Sequence, residues 1–307
     1  MFAALAVVVF LLVPAPWSGI FGMVCATLGL AVIVSFKKII SGYGCFLLYE
    51  AIWGTFHSIR SIADNTDLAN HVSSLILRTE RALFFGNIPS YTLQLDFYDP
   101  YHFHWYDYLL SVIYFSFFFV PLIFGIFTIC VSRHLFLRYA VAQAILFALG
   151  CIFFFLLPTM PPWMASSASR LPPVHVERIA FNVLAEMQIH LFEHPVGTLA
   201  NLDANPLAAM PSIHTGVTML FFLISRQYHR RWQIASLCYV FLMGIALVYL
   251  GEHSVLDVLA GMLVAVVAWH TSVAIHREQH GWRRRYVPCL LGRMKPRARA
   301  GRPRLTR

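Results

Sequence analysis

Charged residues are scarce in this sequence. Asp, Glu, Lys and Arg make up 12% of its 307 residues, about half the share of an ordinary soluble domain. With 59% of the chain hydrophobic, that scarcity excludes a water-soluble globule and points to a chain surrounded by lipid. Acids are fewer than bases, 14 against 23, which sets the net charge at +9. The excess is not a nucleic-acid footprint. Of the 23 Lys and Arg, 11 follow His276, and no folded basic module with interleaved aromatics accompanies them. A basic tail directly after an apolar segment fits a cytoplasmic, positive-inside end with anionic lipids as its partner. Paired cysteines are lacking too. Cys25, Cys45, Cys130, Cys151, Cys238 and Cys289 show no C-x-x-C spacing and mostly stand in apolar runs, which argues against a disulfide framework or zinc site and for small buried hydrophobes. There is no N-x-S/T sequon and no visible internal repeat.

What the chain has is apolar length. Stretches at 17–36, 39–56, 108–131, 137–157, 212–225, 233–250 and 254–275 approach or exceed the roughly 18–20 residues that cross a bilayer as helix. They predict an all-α polytopic membrane helix bundle of about seven spans. Glu50 interrupts the second span and is expected to pair with another helix, with Arg60 as a partner. The first 13 residues are apolar but lack a basic start, so a short helix packed on the bundle is expected rather than a cleaved signal peptide. Residues 64–85 are expected to form an amphipathic helix on the membrane surface.

Short basic loops at Lys37/Lys38, Arg133/Arg138 and Arg226/Arg230/Arg231 fall, with the tail, on one side of this topology. That side is assigned to the cytoplasm, with a bacterial inner membrane as the expected location. The loops 58–107 and 158–210 and the turn "LGEHS" then lie outside. The expected organisation is 1–57 as N-terminal spans, 58–107 as an outer loop with the interfacial helix, 108–275 as a catalytic core including the loop 158–210, and 276–307 as a basic cytoplasmic tail.

His214 opens one span at its outer end, and the next two spans return to that face with His253 and Asp257. The latter pair is spaced i, i+4 and shares one helix face. Ionisable groups in spans are costly and usually functional. A neutral His253 whose ring is held by Asp257 is suited to nucleophilic attack, and His214 to protonating a leaving oxygen. Phosphorus is the fitting electrophile, since phosphohistidine is a workable intermediate and no Ser-His or Cys-His pairing is evident. The competing reading is that three polar residues simply join helices.

"PSIH" (211–214) and "HSVLD" (253–257) resemble the second and third signature motifs of the type 2 phosphatidic acid phosphatase superfamily. "NPLAAMPSIHTG" (205–216) and "PTMPPW" (158–163) are most similar to its inositol phosphorylceramide synthase-like, inositolphosphotransferase branch. The resemblance covers about residues 78–273. It implies a six-helix catalytic core with a site open to a lipid head group, His253 as nucleophile, Asp257 as its activator, His214 as general acid, and no metal or other cofactor. The implied substrate is a membrane lipid phosphate, with a lipid or alcohol acceptor if the head group is transferred and water if it is hydrolysed.

Two elements of the family pattern are missing. The first motif, K-x6-R-P, is absent, and Ala246 and Leu247 replace the Ser-Arg pair upstream of the nucleophile. A phosphoryl group still needs donors or positive charge around its oxygens. Arg170, which closely follows "PPW", is the first candidate, followed by Arg178, Arg81 and Arg78. Ser212, as the cap of the helix that starts at "PSIH", would expose N–H groups to an anion, and Asn205 is placed to hold the loop over the site. His190, Glu193 and His194 lack a metal-ligand spacing. A transporter or scaffold is the rival class, but it calls for repeats and midplane polar groups.

Overall fold

The computed structural model describes residues 36–60, 66–167, 175–187 and 207–290. Helices account for nearly all of this, and one isolated bridge, Thr159 with Ala208, is the only β pairing among the described residues. In chain order the helices are α1 (Phe36–Arg60), α2 (Thr66–Leu83), α3 (Pro89–Phe97), α4 (Trp105–Ser116), α5 (Val120–Val131), α6 (Arg133–Leu156), α7 (Pro162–Ser167), α8 (Ile179–Glu186), α9 (Ile213–Ser225), α10 (Arg230–Tyr249) and α11 (Val255–Leu290).

Three of them are long and apolar enough to cross a membrane: α6, α10 and Val255–His276 of α11. A fourth span is formed if α4 and α5, bent by 50° at their junction, count as one. Against the expected seven spans, the described residues hold three or four, and the expected span 17–36 lies outside them except for Phe36, which begins α1. Proline explains the break in what reads as one uninterrupted apolar stretch. Pro121, in the first turn of α5, has no N–H to continue the ladder from α4. Tyr49 of α1 donates to the Pro121 carbonyl at 3.0 Å and meets Tyr139 of α6 at 2.9 Å, tying the bend to both helices. At 13 residues, α9 is apolar but shorter than a usual span.

The amphipathic segment is realised as α2. Ala69, Ser73, Leu77 and Glu80 form its buried stripe, a spacing of four, four and three that follows one helix face. Its far end is the opposite in character, because Leu83 is 58% and Phe85 97% exposed. The basic positions expected on the cytoplasmic side, Arg133/Arg138 and Arg226/Arg230/Arg231, start α6 and join α9 to α10, and Ser272 of α11 donates to the Arg138 carbonyl at 3.0 Å. The start of α9, the end of α10 and the start of α11 meet at the other end of the bundle.

Candidate active site

Three short sequences build that end. Ser212 caps α9, its hydroxyl accepting from Thr215 N–H at 3.5 Å. In "SVLD", Ser254 and Asp257 cap each other: Asp257 Oδ2 accepts from Ser254 N–H at 2.8 Å and Ser254 Oγ from Asp257 N–H at 3.1 Å. Such reciprocal bonding satisfies the donors that a helix start leaves open. Between α10 and α11, "LGEHS" turns through Gly251, whose φ is +80°. Glu252 N–H bonds to Leu247 O at 3.0 Å and Gly251 N–H to Val248 O at 3.3 Å, the paired closure in which a left-handed glycine ends a helix. His253 leaves this turn one residue before α11 is capped.

"PTMPPW" braces the arrangement. Thr159 N–H donates to Leu207 O at 2.8 Å, Met210 N–H to Thr159 Oγ1 at 2.6 Å, Trp163 N–H to Gly251 O at 3.2 Å, and Met160 N–H to Ser73 Oγ of α2 at 2.8 Å. The Pro-rich element therefore connects the approach to His214, the turn carrying His253 and α2.

α9 and α11 also touch backbone to backbone. Ser212 N–H donates to Asp257 O at 2.9 Å and Thr215 Oγ1 to Val258 O at 3.1 Å. This approach requires Gly261, since a Cβ there would lie 2.1 Å from Ser212 O.

The structure brings His214, His253 and Asp257 together. His253 Nε2 is 3.4 Å from His214 Nδ1, and His253 Nδ1 is 3.7 Å from Asp257 Oδ2. Neither His253 Nδ1 nor Asp257 Oδ1 has a hydrogen-bond partner among the described residues. The His214 ring is packed against Tyr114 and Phe117, with centroids 5.4 and 4.1 Å away. The bend between α4 and α5 is what brings Phe117 there. Both histidines line an open cavity that is continuous with solvent.

Arg170 and Asn205 lie outside the described residues. Arg78 and Arg81 are on the exposed face of α2, with Arg81 Nε donating to Gly86 O at 3.0 Å. Neither lines the cavity. Arg178 binds Glu252 through Nε at 2.8 Å and Nη2 at 3.3 Å, between the rings of Trp163 (4.6 Å) and Phe181 (3.8 Å). The Glu252 carboxylate that it binds lines the cavity together with His253. The expected pairing of Glu50 with Arg60 is not available, because both lie on α1 ten residues and about 15 Å apart. Arg60 instead lines the cavity.

Glu80 is a third participant not anticipated from sequence. Fully buried on α2, it accepts from Val255 N–H, the first residue of α11, at 2.6 Å. A carboxylate within the apolar stripe of an amphipathic helix was the available signal. Burial pushes this carboxyl up to about 7, with the Val255 N–H opposing the rise and Asp257 adding to it. A carboxyl whose folded value is raised holds its proton in the fold after the unfolded chain has lost it. Its contribution therefore weakens stability as pH climbs from the ordinary 4.5 through about 7. Glu80→Gln keeps the acceptor for Val255 and removes the titration. The variant is expected to gain in melting temperature over the parent at pH 8 relative to their difference at pH 5, and a pH-independent difference would contradict this.

The sequence model of the PAP2 superfamily matches residues 74–271. The chain is also 24% identical over 236 residues to a phosphoinositol dihydroceramide synthase of Bacteroides thetaiotaomicron, an alignment covering 73% of this chain and 74% of that protein. No solved structure matches.

Proposed function

Since the chain belongs to the PAP2 superfamily and is a multi-pass membrane enzyme of the lipid phosphatase and phosphotransferase kind, we propose that it transfers a phosphoryl head group from a membrane lipid to a hydroxyl-bearing lipid or alcohol through a phosphohistidine on His253. The observation that carries the reading is the orientation of the His253 ring, with Nε2 toward His214 in the cavity and Nδ1 toward Asp257. The Nε2 lone pair forms the N–P bond while the P–O bond to the lipid breaks, and His214 gives a proton to the departing oxygen. Asp257 stabilises the ring as its charge grows. In the second half, His214 takes the proton of the acceptor hydroxyl, the new O–P bond forms, and the N–P electron pair returns to His253. The phosphate itself supplies the negative charge that favours a cationic His214. No step calls on a metal.

Water in place of the alcohol would make the same site a phosphatase. The similarity to a synthase favours transfer. On this reading the site faces outward from a bacterial plasma membrane, opposite the basic turns at 133–138 and 226–231.

The test is product analysis in vesicles with head-group-labelled phosphatidylinositol, with and without dihydroceramide, and with and without EDTA. Acceptor-dependent formation of a labelled sphingolipid, insensitive to chelator, is expected. Release of labelled inositol phosphate only would make the enzyme a hydrolase, and chelator-sensitive turnover would overturn the metal-free route. For orientation, a Tyr101→Cys substitution on the 90%-exposed position before α4 should react with an impermeant thiol reagent from outside intact cells. Labelling only after permeabilisation would reverse the topology.

A further inference from the structure

The missing basic motifs leave a question of charge, and α1 addresses it from outside the part of the chain that matches the family. Phe56 and Arg60 lie one turn apart on the same face of α1. Phe56 is buried and stacks on Phe147 of α6, with centroids 4.2 Å apart and planes at 21°. Phe154, two turns further along the same face of α6, flanks it at 6.4 Å. This seating fixes the last turn of α1 and brings Arg60 to the cavity shared by His214, His253 and Glu252. Among the described residues lining that cavity, Arg60 is the only Lys or Arg. Its positive charge acts on His214.

A site that accepts a phosphate ester must match negative charge spread over the non-bridging oxygens, and that charge persists through the transition state. A guanidinium does this with a fork of donors that reaches two oxygens at once. The positions where the family carries its Ser-Arg pair are apolar here: Ala246 and Leu247 are fully buried in the core. Arg178 does not line the cavity. We propose that Arg60 is the phosphate-binding cation of this site, its guanidinium donating to non-bridging oxygens of the head-group phosphate while His253 Nε2 faces the phosphorus. The assignment rests on the phosphotransfer reading above. It makes α1 part of the active site, although the matched family region begins only at residue 74.

The experiment compares Arg60→Ala, Arg60→Gln and Arg60→Lys in vesicles, using phosphatidylinositol as substrate and orthovanadate as the phosphoryl mimic. For Ala and Gln, kcat/KM is expected to fall on the order of 100-fold, the cost of losing one preorganised donor to a developing oxyanion. For Lys, which keeps the charge and loses the fork, about tenfold is expected. The orthovanadate concentration for half-inhibition should rise in parallel, and added guanidinium should restore part of the Ala variant's activity. A merely structural arginine would not change orthovanadate sensitivity. Activity of Arg60→Ala within about threefold of the parent overturns the assignment, as does lost activity with unchanged orthovanadate sensitivity. If Ala does not yield folded protein, Gln and Lys decide by the same criteria. The two readings fail separately. Activity that survives His253→Ala sinks the phosphohistidine route, whereas an unaffected Arg60→Ala beside an inactive His253→Ala sinks only the role of Arg60.

Discussion

Replacing His253 with alanine is expected to reduce turnover by roughly four to six orders of magnitude, the scale on which nucleophiles of covalent catalysis are lost. His214→Ala should cost less, about two to four orders, because it removes proton transfer rather than the bond-forming atom. The more informative difference lies in the leaving group. A lipid alkoxide departs only if protonated, whereas a nitrophenolate departs without help. With a nitrophenyl phosphodiester, His214→Ala should therefore form the phosphoenzyme at nearly the parental rate and stall afterwards, when the acceptor hydroxyl must be deprotonated. A rapid-quench experiment would show a burst of nitrophenol followed by slow turnover. His253→Ala should show no burst. If both variants lose the burst equally, the division of roles between the two histidines, whose facing nitrogens lie 3.4 Å apart, is wrong.

Gly261→Ala is the second change with a large expected effect, and it touches no catalytic atom. The added methyl would lie 2.1 Å from Ser212 O and 2.6 Å from Thr215 Oγ1. A threonine side chain can turn away, but a backbone carbonyl at a capped helix start cannot. α9 and α11 must separate, breaking the Ser212-to-Asp257 and Thr215-to-Val258 bonds. Overpacking of this kind costs about 3 kcal/mol or more. Because the two helices carry His214 and Asp257, a displacement of even ~1 Å should also lower kcat by about 100-fold. Thermal unfolding and activity measured on the same detergent preparation check both effects. Gly54→Ala on α1 is the control, since nothing lies within 4 Å of its Cβ position. There alanine should be neutral or stabilising by up to about 1 kcal/mol. Equal behaviour of the two variants would mean that the helix contact tolerates separation.

The proximity of His214, His253 and Asp257 was legible in the sequence because two short-range rules govern it. One is the i, i+4 spacing after a turn, and the other is the return of an apolar helix pair to a single face. Arg60 was not legible, for a physical reason. It stands 154 positions before His214, and only the packing of Phe56 on Phe147 shows which way it faces. Placing Arg170 first rested on its closeness in the chain to "PPW", and closeness in the chain carries no information about a residue delivered by another helix. The break between α4 and α5 has a similar origin. Hydropathy is continuous through residues 108–131, so the stretch reads as one span, although Pro121 already carried the signal for a bend. Helix starts were more accessible. Ser212 caps where "PS" stands before an apolar run, because capping depends on neighbours only three residues away.

Within six residues, α2 meets two very different surroundings. Glu80 is fully buried against the first N–H of the helix that follows His253, while Phe85 stands 97% exposed at the tip. On a membrane protein an exposed Leu-Phe-Phe tip is suited to insertion in lipid. Glu80 stands in the last turn of α2, and Phe84 and Phe85 form the turn that directly follows its end at Leu83. Tension applied by lipid at the tip is expected to reach the start of α11 through the Glu80 contact. Rate constants measured in micelles and in vesicles are therefore expected to differ.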